Sequence, residues 1–137
     1  MTSPNPLRKF DITGDQIAHV VAVFYARIRQ HPELGPVFAA HVTDWAAHEE
    51  KIAGFWRNAI LREGSYSGNP MRVHVARPNI RAEHFPLWLA LFHEVLQETL
   101  PADIAAKWAA LADRIGEGFR IGVTSMRQKP SDVPTLF

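Results

Sequence analysis

The chain contains no cysteine. Disulfides, thiolate metal sites and cysteine nucleophiles are excluded together. It has almost no surplus of charge: 15 Lys and Arg against 14 Asp and Glu leave a formal net charge of +1. No basic stripe recommends nucleic acid as a partner. No apolar run approaches the roughly 20 residues that a membrane-spanning helix needs. The first ten residues, MTSPNPLRKF, lack the apolar centre of a secretory signal. The expected location is therefore the cytoplasm. Catalytic signatures are scarce as well. There is no Gly-x-Ser-x-Gly, no glycine-rich phosphate loop and no His-Glu-x-x-His. The histidines are spaced poorly for structural zinc, whose ligand pairs stand roughly two to five residues apart. His41 and His48 are seven apart, and His84 and His93 nine apart.

What is present is helical periodicity. At 137 residues, with 47% hydrophobic and 21% charged side chains, the chain has the make-up of one globular domain. That domain is placed at residues 13–126. Proline-bearing segments without periodicity, residues 1–12 and 127–137, read as flexible tails. Thr13 and Gln16 form a capping-box pattern, and Ile17, Val20, Val21, Phe24 and Ile28 follow at helical spacing. The first helix is thus expected over residues 13–30, stopped by His31-Pro32, with a short turn over 32–38. A second helix starts at Thr43 or Asp44 and ends near 62–64, with Trp45, His48, Ile52, Phe55, Trp56 and Ala59 on one face. Two more helices are expected, over 82–100 and 102–126. The first has Pro86 in its opening turn; the second has Trp108, Leu111, Ile115 and Phe119 inward. The fold class is all-α.

Residues 64–81 do not fit a simple bundle. Gly64, Gly68-Asn69-Pro70 and Pro78 interrupt this stretch, and only a short helix at 70–76 suits it. Long irregular connections in small domains commonly carry function. This one holds His74, flanked by Met71, Val73 and Val75. His48 is the other of the seven histidines to stand on an apolar face. Either is open to a plain reading as a core histidine with one backbone partner. One cofactor also suits a single imidazole in apolar surroundings: haem iron takes one histidine and leaves its opposite face open. Eight Phe and four Trp can furnish such a pocket.

Five segments in order carry a resemblance. They are FYARIR from Phe24, HPELGPVF from His31, DWAAHEEKIAGFW from Asp44, YSGNPMRVH from Tyr66 and HFPLWLALF from His84. The chain resembles the truncated haemoglobins of the third group over Ile17 to Phe119. The paired glycines that mark helix corners in the other two groups are absent, which favours the third. The resemblance implies a two-over-two globin fold enclosing haem b. It implies His74 as proximal iron ligand, Tyr25, His48 and Trp88 as distal groups, and Phe38, Ile52 and Phe55 against the haem. Lys51, Tyr66, Arg72 and Arg77 become candidates for the haem propionates.

The chemistry expected from that resemblance is retention of oxygen. Oxygen on ferrous haem gains negative charge, so a donor aimed at it makes a charge-assisted bond. Tyr25 donates through its hydroxyl, Trp88 through its indole N–H and His48 through either ring nitrogen. Slow release suits nitric oxide or reactive oxygen and nitrogen chemistry better than bulk oxygen transport. The partners implied are small gases (oxygen, nitric oxide, carbon monoxide) and a separate reductase, because no flavin or nicotinamide motif is present. Alternatives are a peroxidase-like enzyme with His48 as acid–base, a gas sensor, and a cofactor-free helical interaction module. His48 ligating the iron itself is a further option.

Overall fold

Thr13 opens the first helix in the computed structural model. Its hydroxyl accepts from the Gln16 N–H at 3.0 Å, and the Gln16 side chain accepts from the Thr13 N–H at 2.9 Å. This reciprocal cap satisfies two donors that the first turn would otherwise leave bare. Helix α1 runs Gly14–Ile28. The structure describes residues 7–62 and 80–128, which form four further helices: α2 (Leu34–Ala39), α3 (Trp45–Leu61), α4 (His84–Thr99) and α5 (Ala102–Gln128). Among the described residues there is no strand. The short helix expected at 70–76 lies outside the described residues.

Each boundary has a local cause. After α1, the His31 ring turns back on the chain: its Nδ1 accepts from the Glu33 N–H at 3.1 Å and the Leu34 N–H at 3.0 Å. These are two of the donors that α2 leaves without an intrahelical partner. Asp44 caps α3 by accepting from the Ala47 N–H at 3.1 Å. Arg62 ends α3 in the left-handed region, at φ 62°. Pro86 sits in the first turn of α4, where a missing N–H costs no hydrogen bond. Pro101 separates α4 from α5.

The helices pair. α4 packs along α5, α1 packs along α3, and α1 joins the pairs by crossing α4. At that crossing lies an aromatic stack. Phe92 is sandwiched between Trp88, at 5.0 Å and 16°, and Trp56, at 5.5 Å and 12°. Phe24 meets Phe92 edge-on at 4.9 Å, and Trp108 does so at 5.5 Å. Phe24, Phe92 and Trp108 are fully buried. Aromatic pairs in such geometry each add about 0.5–1.5 kcal/mol beyond their area. Phe10 also enters the core, and the Lys9 N–H donates to the Ile60 carbonyl at 2.8 Å. The packed region therefore begins ahead of Thr13.

Helix α3 divides its apolar surface in two. Ala53, Trp56 and Ile60 are buried against α1 and the core. Trp45, His48, Ile52 and Phe55, expected on one inward face, are only half-buried. Of these, His48, Ile52 and Phe55 front a cavity.

Candidate functional site

The cavity holds about 370 Å³ and is lined from α1, α2, α3, α4 and α5. Its walls are mostly apolar, with Phe38, Ile52, Phe55, Phe85, Trp88 and Phe119 prominent. α1 contributes Tyr25, one residue after the fully buried Phe24. Tyr25 is 2% exposed. Burial first, and the negative charge of Glu49 second, push its phenol well above the usual range. Tyr25 therefore keeps its proton at every ordinary pH and faces the cavity as an O–H donor.

His48 approaches from α3. Its ring stands edge-on to Tyr25, with centroids 5.0 Å apart and planes at 89°. Phe38 of α2 closes the group, 5.7 Å from Tyr25 and 6.2 Å from His48. A bridge behind these rings ties α3 to α1. Arg29 pairs with Glu49 at 2.6 Å and lies over the Trp45 ring at 4.7 Å. Glu49 follows His48 directly, so the bridge anchors the turn that carries the imidazole. Ile52 follows His48 by one turn and lines the same space. Trp88 lines it from α4, held by its stack on Phe92. Lys51 stands at the edge, with its side chain exposed.

The cavity thus gathers Tyr25, Phe38, His48, Lys51, Ile52, Phe55 and Trp88. The sequence-based candidates Tyr66, Arg72, His74 and Arg77 lie outside the described residues. Several lining residues were not anticipated from the sequence: His41, Ile80, His84, Phe85 and Gly116 among them. A signal existed for His84. It lies four residues before Trp88 on one helix, so the two share a face. Among the described lining residues no Asp or Glu occurs, whereas His41, His48, Lys51 and His84 all do.

Residues 10–114 match the bacterial-like globin family. The chain belongs to that family. It is 37% identical over 93 residues to a group 3 truncated haemoglobin of Campylobacter jejuni, covering 64% of this chain and 73% of the relative. The fold is similar to the crystal structure of the group III truncated haemoglobin from Campylobacter jejuni. The TM-score is 0.78 at 32% identity, over 84% of this chain and 94% of that one. The expected resemblance to the third group of truncated haemoglobins is borne out, and with it the all-α truncated-globin fold. Globin membership implies haem and small gaseous ligands.

The residues of this globin fit that cofactor. A cavity of this size lies in the range of about 300–1,000 Å³ usual for small-molecule sites. Its aromatic and aliphatic walls suit the faces of a flat macrocycle. Basic side chains without carboxylates suit the macrocycle's acidic edge. Among the described residues, no helix is long and apolar enough to cross a membrane.

Proposed function

We propose that this globin holds haem b in the cavity, with His74 as proximal ligand, and retains oxygen for nitric oxide or reactive oxygen and nitrogen chemistry instead of bulk transport. The observation that carries the reading is the meeting of Tyr25 and His48, 5.0 Å apart between ring centroids, in an apolar cavity that Trp88 also lines. Haem supplies reversible binding of small gases at its iron. The chain supplies the surroundings. Tyr25 holds a proton at Oη and donates it as a hydrogen bond to a ligand in the cavity. Trp88 donates through Nε1, and His48 through whichever ring nitrogen carries its hydrogen. Phe38, Ile52 and Phe55 exclude water from that space, and Lys51 with Tyr66, Arg72 and Arg77 meets the acidic edge of the cofactor.

A net hydrogen bond contributes about 1 kcal/mol, and more when charge-assisted. About 1.4 kcal/mol is a factor of ten. Two or three donors therefore slow ligand release by orders of magnitude. A cycle of oxidation needs electrons from outside the chain, so a separate reductase is part of the proposal, as is a place in the cytoplasm.

The test is an absorption spectrum of purified protein, oxidised and dithionite-reduced, in wild type and in His74→Ala. The expected result is an intense Soret band that His74→Ala weakens or shifts. No Soret band after haem is added back would discard the reading. The reduced spectrum also reports whether His48 binds the iron.

A further inference from the structure

His84 lines the cavity and has no part in the reading above. Among the described residues it is the one charged or strongly polar side chain that is buried, at 6% exposure. Its Nδ1 accepts the Arg81 N–H at 2.9 Å, which ties the ring to the turn entering α4. A neutral imidazole that accepts at Nδ1 carries its hydrogen on Nε2. Burial, then the positive charge of Arg81, lower the tendency of the ring to take a second proton. The ring thus presents a fixed Nε2–H donor. His84 lines a mostly apolar cavity, where a hydrogen bond to a charged partner is stronger than it is in water.

The described lining offers His41, His48, Lys51 and His84 but no carboxylate. A ligand bearing its own carboxylates completes the site. We propose that His84 donates from Nε2 to a carboxylate at the acidic edge of the bound macrocycle and so slows its loss. The inference rests on the haem reading.

The experiment compares two cofactors, iron protoporphyrin IX and its dimethyl ester, in three proteins: wild type, His84→Asn and His84→Gln. Asn keeps an acceptor for the Arg81 N–H but cannot extend a donor as far as Nε2. Gln presents an N–H near the Nε2 position. The readout is the rate of cofactor transfer to excess apomyoglobin, followed by absorbance. His84→Asn is expected to lose the free-acid cofactor about tenfold faster than wild type, which corresponds to about 1.4 kcal/mol. The ester should leave both proteins at the same rate, and His84→Gln should stay close to wild type. Equal acceleration with both cofactors would assign the effect to the turn and overturn the proposal. Unchanged loss of the free acid would overturn it too. A normal Soret band in wild type keeps either failure separate from the haem reading, whereas no Soret band at all would overturn both.

Discussion

Tyr25 places a hydroxyl in an interior that strips away water, and Glu49 stands near enough to oppose its ionisation. Both effects keep the proton on oxygen, so the residue has one polar act available to it, donation. Tyr25→Phe removes that donor and little volume. It should speed oxygen release from the ferrous protein by roughly tenfold or more, the size of one charge-assisted hydrogen bond. Flash photolysis or stopped-flow displacement reads the rate directly, and an unchanged rate would remove Tyr25 from the distal set. His84 carries a pH prediction. Its folded pKa is lowered, by burial first and by the Arg81 charge second. The unfolded chain then binds a proton more readily than the folded one, so stability is held above the ordinary histidine pKa. It declines as pH falls through that value, and the decline levels off below the folded pKa. Thermal melts between pH 7 and pH 5 should therefore show a smaller fall in Tm for His84→Gln than for wild type. Parallel curves would remove His84 from the acid sensitivity.

The helices were legible in the sequence because their signals are local. Thr13 with Gln16, Asp44, Pro86 and Pro101 fix the ends by capping or by a missing N–H, and the apolar spacing fixes the inward stripes. What periodicity does not encode is what an apolar face looks onto. His48, Ile52 and Phe55 share their spacing with a core stripe, yet they front a cavity. Phe10 escaped because a lone aromatic ahead of a helix has no period, and the segment that carries it is held by a distant element, through the Lys9 N–H on the Ile60 carbonyl of α3. His84 escaped because a histidine at a helix start is ordinarily solvated. The resemblance, in contrast, named Tyr25, His48 and Trp88 before any geometry, and the cavity brings all three together. Helix α2 supplies a test at this scale. A Cβ on Gly35 would stand 3.0 Å from the Arg29 carbonyl oxygen and 3.1 Å from that of Ile28. Both neighbours are backbone and cannot turn aside. Gly35→Ala should push α2 away from α1, costing about 1–3 kcal/mol in chemical denaturation. Because α2 carries Phe38 against Tyr25, the same change should alter ligand release. An unaffected denaturation midpoint would show that α2 docks loosely.

At the scale of the molecule, the cavity and the core share walls. Trp56 and Trp88 line the cavity on one side and sandwich Phe92 on the other. A group that fills the cavity against Trp56 and Trp88 is thus packed, through two rings, onto the crossing where the helix pairs meet. Folding and cofactor binding must be linked: a ligand that binds the folded chain and not the unfolded one stabilises it by RT ln(1 + [L]/Kd). At a free concentration of one hundred times Kd that is about 2.7 kcal/mol. For a domain of this length, about 1 kcal/mol moves Tm by roughly 3–5 °C. Adding haem to the cofactor-stripped protein should raise Tm by about 10 °C at that excess, and further excess should raise it logarithmically. The ester cofactor should give a smaller rise, since it forgoes the basic edge. Calorimetric scans over a range of haem concentrations measure this. A Tm that ignores haem would mean that the crossing of α1 and α4 is complete without a cavity ligand, and the aromatic stack would then be core alone.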